Sequence, residues 1–480
     1  MVSNWQTISS RNKKILIRLT AVILTAALFL TGVTPSFAEN KNNVEMKPSA
    51  EISWDDAPGV EGTSALIMDA GSGEILYEKN AYEKRDPASI TKILTCLVVL
   101  ETLELDEKIT VDFDVSNSGT SIDLKKGETL TVEQLLYGLM LPSANDAAVV
   151  LAKAAGGSIE NFCEMMNERA ARCGAKDTNY TNPNGLNEPI QPEHRTTAYD
   201  LALIAKEAMK NATFRKIVST VDYTIPKTNK SKARKFNNSN RCLSDGVSKL
   251  PPPDYMEVNG FYKYEGTLGV KTGYTSTAGS CFVGWAKKDD TDLIVVVLNS
   301  STYESRFEDA IELWDYGFSK YYTYMAASSK DTLDEFKVKH GAKGKVAVSV
   351  KEDLDVTLNK DYDSKGITTE IVPDGRKVKA PIKKGDKVGT IVVYKDGEPV
   401  MEKPLCAKEN VEKGGILSYV GIPDENVPIF LISVALILIL IFVIYNVYRR
   451  HQYKQKRRRR AQMNREIRRR EWEKERNPFD

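Results

Sequence analysis

The sequence predicts an α+β protein, in which an antiparallel sheet with helices packed on it and a helical lobe precede a small all-β domain and one C-terminal transmembrane helix. Three observations lead to this prediction. Strand-length apolar segments flank a region of helical periodicity in residues 60–325. Short alternating runs separated by Gly, Asp and Lys turns occupy residues 332–409. The predominantly apolar and uncharged segment 427–448 is long enough to cross a bilayer.

The N-terminus has the pattern of a secretory signal peptide. Residues 1–38 contain four Lys/Arg and no acidic residue, and the basic residues precede an apolar stretch. That stretch ends at a small-x-small sequence closing with Ala38, which is typical of a cleavage site. We therefore expect an exported protein whose residues 39–59 form a polar, mobile leader.

The C-terminus is strongly basic. Residues 449–480 contain fourteen Lys/Arg and five Asp/Glu and follow the apolar segment directly. By the positive-inside rule this tail is cytoplasmic, and everything before Val427 lies outside the cell. The whole chain has a formal net charge of only +2, so the body between its basic ends is acidic. The acidic body argues against nucleic-acid binding. The charge of the tail is already explained by its position on the cytoplasmic side of the span.

The elements of the first region follow in a readable order. A Gly-Ser-Gly turn between residues 65–69 and 74–78 predicts a hairpin, and Thr131 with Gln134 predicts a capping box at the start of a helix. Further helices are expected at 146–155, 159–173, 198–211 and 306–318, strands at 281–286 and 293–298, and a long surface loop over 227–258.

The remaining segments offer no obvious chemistry of their own. The β domain has no candidate site, and residues 410–426 are expected to link it to the membrane. Six cysteines follow the signal peptide without metal-binding spacing, so we expect mostly buried thiols and neither a metal nor a cofactor.

The first candidate site residues are Ser89 and Lys92, which stand between a turn at Pro87 and a long apolar helical run. In a helix beginning at Ser89 the two side chains share one face. A lysine amine whose pKa is lowered by burial can take the proton of a serine hydroxyl and so activate it. A serine that caps a helix, with an exposed lysine one turn later, explains the same pattern.

Two later motifs add polar groups of matching chemistry. Ser143 and Asn145 lie between two helical patterns, where they could hold a peptide-like substrate or simply cap a helix. Lys271, Thr272 and Gly273 are expected just before a strand, where a charge and a hydroxyl could bind a carboxylate and Gly273 allows close backbone approach. Each motif alone is commonplace.

In this order and with these spacings, Ser-x-x-Lys, Ser-x-Asn and Lys-Thr-Gly resemble the motifs of the penicillin-binding and serine β-lactamase superfamily. Residues 182–186, 194–200 and 380–386 narrow the resemblance to the low-molecular-mass D-alanyl-D-alanine carboxypeptidases of peptidase family S11. The resemblance covers residues 60–410. It implies a bacterial membrane protein that acts on peptidoglycan stem peptides ending in D-Ala-D-Ala and that is inhibited by β-lactams.

The resemblance also implies the chemical roles. Ser89 attacks the carbonyl of the penultimate D-Ala, and neutral Lys92 takes its proton. Ser143 passes a proton to the leaving amine, while Asn145 holds Lys92 and the substrate amide. His194 lies outside this machinery in the family.

The substrate contacts are implied in the same way. Lys271 and Thr272 bind the terminal carboxylate. The backbone N–H groups of Ser89 and Tyr274 form the oxyanion hole, beside the closely approaching Gly273. The chain has Tyr274 where some relatives have His, and Ser239 where some have Arg.

Two other functions are compatible with these motifs. A β-lactamase needs an efficient deacylating base, and the Glu-x-x-Leu-Asn pattern of class A enzymes is absent between Asn145 and Lys271. A non-catalytic protein that binds the cell wall or senses β-lactams would not need the nucleophile and the base, both of which are present.

Overall fold

A computed structural model describes residues 57–115, 118–186, 193–244, 262–375 and 378–476. The expected signal peptide and all but the last three residues of the expected leader lie outside this part of the chain. The six cysteines lie within it. All six are free thiols, and all except Cys173 are buried, as predicted for most of them.

The first region is built on a five-stranded antiparallel sheet. Its strands are β1 Ser64–Asp69, β2 Ile75–Lys79, β7 Thr267–Thr275, β8 Gly279–Lys288 and β9 Thr291–Ser300, in the spatial order β2-β1-β9-β8-β7. Two small antiparallel hairpins accompany it, one of β3 Lys108–Thr110 with β4 Thr129–Thr131, the other of β5 Asp222–Ile225 with β6 Arg234–Asn237. The predicted N-terminal hairpin and the two predicted strands are confirmed.

Helices cover both faces of the sheet. They are α1 Lys92–Thr102, α2 Val132–Met140, α3 Asn145–Gly156, α4 Ile159–Arg172, α5 Ala198–Ala208, α6 Ala212–Val218 and α7 Ser305–Lys320. In β9, Ile294, Val296 and Leu298 face the core shared with the helical lobe. The alternate residues of the strand face a second core around Trp314 of α7. Because both faces are buried, the strand is almost continuously apolar.

Two local predictions need correction. The helix expected over 198–211 ends at Ala208, and Asn211 caps a separate helix, α6, by accepting hydrogen bonds from two backbone N–H groups. The expected loop over 227–258 contains β6 and a 3₁₀ turn, Arg241–Leu243, in its described part. The polar composition of this segment did not indicate β6 or the 3₁₀ turn, because the stability of both comes from tertiary packing. The capping box of Thr131 and Gln134 is present as predicted.

The C-terminal β region has a core of its own. Its strands are β10 Tyr321–Ala327, β11 Asp334–Lys339, β12 Lys345–Ser349, β13 Leu354–Asn359, β14 Ile367–Pro373, β15 Val378–Lys379, β16 Lys387–Lys395 and β17 Glu398–Ala407. Six of them form a sheet in the order β14-β16-β17-β12-β11-β15, and β10 pairs with β13 beside it.

The described part of the chain ends in one long helix, α8 Val427–Arg476. In the described part of the chain, this is the one helix that is long and apolar enough to cross a membrane. Its apolar side chains are exposed to the surroundings. The all-β region and the candidate membrane helix agree with the fold class predicted from the sequence.

Candidate active site

Ser89 lies on a 3₁₀ turn, Ala88–Thr91, that leads directly into α1. The regular α-helix therefore begins at Lys92 rather than at Ser89. The expected proximity nevertheless holds, because Lys92 Nζ is 2.7 Å from Ser89 Oγ. Ser89 makes no side-chain cap, and Lys92 is fully buried. The alternative of a capping serine beside an exposed lysine is wrong.

Lys92 is surrounded by neutral acceptors. Its Nζ lies 2.7 Å from Asn145 Oδ1 and 2.8 Å from the carbonyl oxygen of Asn184, and no carboxylate of the described residues lies within ion-pair distance. Burial lowers the pKa of Lys92 well below its ordinary value. The nearby charge of Lys271 acts in the same direction, and Asp146 opposes both. A neutral amine has two N–H groups, which satisfy the two amide oxygens, and one lone pair, which is left to face Ser89 Oγ.

Asn184 contacts Lys92 through its backbone carbonyl, and the sequence analysis did not assign it this role. Its carbonyl is presented by a tight turn, in which the Asn182 side chain accepts from the backbone N–H groups of Asn184 and Gly185. Gly185 has a φ of +81°, and a Cβ atom there would lie 1.8 Å from the carbonyl oxygen of Ala88. Glycine is therefore required to pack this turn against the turn that carries Ser89.

Ser143 and Asn145 lie at the start of α3, on the same side of the site. Ala144 is the cap residue and no side chain caps the helix, so the alternative role of Ser143 or Asn145 as an N-cap is wrong. Asn145 Nδ2 donates to Ser118 O at 2.9 Å, which fixes its Oδ1 toward Lys92. Ser143 has a φ of +71°, and its buried Oγ has no hydrogen-bond partner among the described residues. Strain and an unpaired buried hydroxyl are features that cluster at functional sites.

Lys271, Thr272, Gly273 and Tyr274 lie within the edge strand β7, and not just before a strand as predicted. Residues 269–273 of β7 are buried, which a sequence pattern with two polar residues does not suggest. A Cβ atom on Gly273 would lie 3.1 Å from the backbone nitrogen of Ser89. The strand and the Ser89 turn are thus in close contact.

The side chains of this strand face different surroundings. Thr272 Oγ1 is 2.6 Å from Ser239 Oγ, and Tyr274 is more than half exposed. Lys271 is 1% exposed, and its Nζ donates to the carbonyl of Thr272 at 3.0 Å. Burial and then the charge of Arg306 lower the pKa of Lys271 to about 7.

Arg306 of α7 was missed by the sequence analysis. Its side chain is 1% exposed, and its Nη1 donates to the carbonyl of Gly273 at 2.9 Å. In the sequence it is an ordinary basic residue of an amphipathic helix. Its contact with β7 depends on how α7 packs on the sheet, which no local pattern encodes.

His194 supports the Ser89 turn from outside the site. Its Nδ1 accepts from the Thr181 N–H at 3.1 Å, so the proton lies on Nε2, which is 2.9 Å from Thr91 Oγ1. Thr91 in turn donates to the carbonyl of Ala88. Burial lowers the pKa of His194 to about 4. The ring is a neutral hydrogen-bonding element and does not contact Ser89 Oγ in the described contacts.

The helical side of the site (Ser89, Lys92, Ser143 and Asn145) and the strand side (Lys271–Tyr274) differ in chemistry. The helical side joins a hydroxyl to an amine of lowered pKa, which can perform nucleophilic catalysis. The strand side offers an amine and a hydroxyl suited to an anion. No cluster of three or more His, Cys, Asp or Glu side chains in the described ranges is arranged to hold a metal ion.

Comparison with known families agrees with this chemistry. Residues 52–302 match the family described as D-alanyl-D-alanine carboxypeptidase, and residues 321–413 match the C-terminal domain of penicillin-binding protein 5. The D-alanyl-D-alanine carboxypeptidase DacF of Bacillus subtilis (strain 168) is 33% identical over 411 residues, which are 84% of this chain and 96% of that protein. DacC of Escherichia coli (strain K12), of the same description, is 31% identical and covers 76% of this chain, with 88% of its own length matched.

A solved structure is also similar. Penicillin-binding protein 5 from Haemophilus influenzae superposes with a TM-score of 0.59 and 27% sequence identity. The superposition covers 74% of this chain and 99% of that one. The similarity therefore extends through the sheet region and the β region together.

Proposed function

Because this chain belongs to the D-alanyl-D-alanine carboxypeptidases of peptidase family S11, we propose that Ser89 is the nucleophile with which it removes the terminal D-alanine of peptidoglycan stem pentapeptides. Family membership makes the chain a serine-type hydrolase. The observation that supports Ser89 most strongly is the 2.7 Å contact between its hydroxyl and the buried amine of Lys92.

Acylation begins with a proton transfer from Ser89 Oγ to Lys92 Nζ. Burial lowers the pKa of Lys92 and so favours its neutral form before the attack, in which the oxygens of Asn145 and Asn184 hold its two N–H groups. The lone pair is then directed at the hydroxyl that must lose its proton. General base catalysis of this kind contributes about 10²–10⁴ in rate.

The attack makes a tetrahedral intermediate at the carbonyl of the penultimate D-Ala. The N–H groups of Ser89 and Tyr274 stabilise its oxyanion, and the close approach of Gly273 to Ser89 brings these two backbone segments together. Loss of one such donor typically costs about 10²–10³ in kcat. Ser143, whose hydroxyl has no hydrogen-bond partner among the described residues, passes the proton to the leaving amine.

Lys271 and Thr272 bind the carboxylate of the terminal D-Ala. Within the described part of the chain the Lys271 amine has one acceptor, the carbonyl of Thr272, so an incoming carboxylate supplies a partner of opposite charge. After D-Ala leaves, water hydrolyses the ester on Ser89 and regenerates the hydroxyl. A β-lactam ring opens on the same oxygen and leaves an acyl-enzyme. These steps use only side chains and backbone groups of the chain together with water.

A β-lactamase is not favoured, because the matched relatives are carboxypeptidases along nearly their whole length. A non-catalytic binding role is not favoured either, since the nucleophile and its base are in contact. Release of D-alanine from a stem pentapeptide together with slow turnover of penicillin separates the three functions.

The apolar helix α8 is suited to anchoring the protein in a membrane. We place it in the bacterial cell membrane as a single span, with the catalytic region outside and the basic tail from residue 449 in the cytoplasm, because positive residues favour that side. Protease digestion of intact and opened spheroplasts tests this orientation, since the tail should be cut only after opening.

The test of the catalytic assignment is Ser89→Ala, with Ser328→Ala in the β region as the matched control. Ser89→Ala should abolish both D-alanine release and labelling by fluorescent penicillin while the circular dichroism spectrum stays unchanged. Ser328→Ala should retain both. Release at the wild-type rate by Ser89→Ala contradicts the assignment.

A further inference from the structure

An apolar turn stands next to the start of α8. The 3₁₀ turn Ile416–Val420 exposes Ile416 by 90%, Tyr419 by 60% and Val420 by 73%. With three residues per 3₁₀ turn, Ile416 and Tyr419 share one face and Val420 lies beside them. Scattered apolar residues on a surface are ordinary, but three on one turn form a patch that calls for a partner.

The turn is held rigidly against the β region. Ser418 on its inner side is 5% exposed and donates to the carbonyl of Gly415, and Gly414 N–H donates to the carbonyl of His340. The Tyr419 ring stacks on the His340 ring, with centroids 4.5 Å apart. The patch is therefore a fixed projection of the β region and not a loose linker.

The same turn is tied to the beginning of α8. The backbone N–H of Gly415 lies 2.9 Å from a carboxylate oxygen of Asp424, three residues before Val427. Glu425 accepts from Gly344 N–H and donates its own N–H to the carbonyl of Ala342. These bonds keep the patch beside the end of the segment that is apolar enough to span a bilayer.

The charges around the patch are compatible with a lipid surface. Residues 414–423 contain no ionisable side chain other than Tyr419. The two carboxylates that follow, Asp424 and Glu425, are occupied by backbone N–H groups. Tyrosine beside aliphatic residues at the end of a span is the composition of a membrane interface.

We propose that Ile416, Tyr419 and Val420 insert into the interfacial layer of the bilayer that α8 spans, so that the β region rests on the membrane surface in a fixed orientation. This inference rests on the membrane anchoring proposed above. It assigns the exposed turn to lipid, and a second copy of the chain or another protein covering the turn would be a different result.

The test uses the full chain in vesicles of phosphatidylglycerol and phosphatidylethanolamine, with an environment-sensitive fluorophore attached through single substitutions. Ile416→Cys and Val420→Cys probe the turn, Leu438→Cys probes the span, and Val400→Cys probes an exposed position elsewhere on the β region. The unsubstituted chain, whose cysteines are mostly buried, gives the labelling background. Lipids that carry a nitroxide near the headgroup quench fluorophores within the interface, and lipids that carry it deep in the acyl chain quench fluorophores within the span.

We expect loss of fluorescence at positions 416 and 420 with the headgroup nitroxide and at position 438 with the acyl-chain nitroxide, and none at position 400 with either lipid. Ile416→Asp in the Val420→Cys background should abolish the quenching at 420 and leave D-alanine release unchanged. Quenching at 438 without quenching at 416 and 420, or equal quenching at 416 and 400, overturns the inference. Absence of quenching at 438 overturns the membrane anchoring and this inference with it, whereas the catalytic assignment is judged separately by D-alanine release from the same sample.

Discussion

The two sides of the active site each contain one buried lysine, and the surroundings of the two lysines differ. Lys92 on the helical side is in contact with a hydroxyl and two amide oxygens. Lys271 on the strand side contacts one carbonyl and lies near the charge of Arg306. Burial lowers both pKa values, so burial alone does not decide the role. We propose that the number of neutral acceptors decides it: two acceptors leave the lone pair of Lys92 directed at Ser89, whereas the single acceptor of Lys271 among the described residues leaves its amine able to bind an anion.

The largest expected effect comes from removing the base. Lys92→Met keeps the length of the side chain and removes the amine, so acylation by penicillin and D-alanine release should both fall by about 10²–10⁴. Stopped-flow measurement of acylation checks this. Lys271→Met is the comparison, and it should reduce kcat/KM by about 10–100-fold through loss of a charged hydrogen bond to substrate.

The comparison is contradicted if Lys271→Met lowers kcat/KM for an amidated pentapeptide, which has no terminal carboxylate, as much as it lowers kcat/KM for the free acid. Equal losses would mean that Lys271 acts in the chemistry rather than on the carboxylate.

The pH profile should separate the two lysines next. Lys92 works when it is deprotonated, so kcat/KM rises with pH through its lowered pKa. Lys271 works when it is protonated, so kcat/KM falls as pH rises above about 7. The falling limb should be missing in the Lys271→Met variant. If the falling limb persists in Lys271→Met, it reports the titration of a group other than Lys271.

A charge placed beside Lys92 should move the rising limb. Asn145→Asp puts a carboxylate at the position of the Oδ1 atom that lies 2.7 Å from Lys92 Nζ. A carboxylate favours the ammonium form, so the limb should shift upward by about 1–3 pH units. Asn145→Leu, the uncharged control, should lower the rate without that upward shift. An unmoved limb in Asn145→Asp would mean that Lys92 does not control it.

The smallest effect on catalysis is expected at His194, which contacts the Ser89 turn through Thr91. Because burial lowers its pKa from 6.5 to about 4, the unfolded chain binds the extra proton first as pH falls. The neutral ring therefore makes its full contribution to the free energy of unfolding above pH 6.5. As the pH falls to 4, up to about 3 kcal/mol of that free energy is lost. The free energy of unfolding, from urea titrations, should therefore decrease less over this range in His194→Gln than in the wild type. D-alanine release near neutral pH should be nearly unchanged.

The sequence predicted the side chains of the site better than the backbone that holds them. Ser89, Lys92 and Asn145 were singled out by residue type and spacing, and the structure brings them into contact. The carbonyl of Asn184 could not be singled out, because every residue has a carbonyl and its direction depends on the turn at Gly185.

Two other parts of the site depended on tertiary packing. Lys271 and Thr272 interrupt an apolar pattern, so the strand that contains them, β7, was not predicted and the motif was placed before the strand expected at 281–286, although residues 269–273 are buried. Arg306 reaches β7 from the other face of the sheet, 33 residues beyond Gly273. Separations of this size have no local signature, whereas the capping box at Thr131 involves four consecutive residues and was predicted correctly.

The central claim is that Lys92 activates Ser89 for acylation. Mass spectrometry of peptides from the penicillin-treated full-length protein and its Lys92→Met variant tests it most directly. We predict a penicilloyl adduct on the peptide that carries Ser89 in the wild type, and none in the variant after the same brief exposure. An adduct on another residue, or equal modification of Ser89 in both proteins, would contradict the claim.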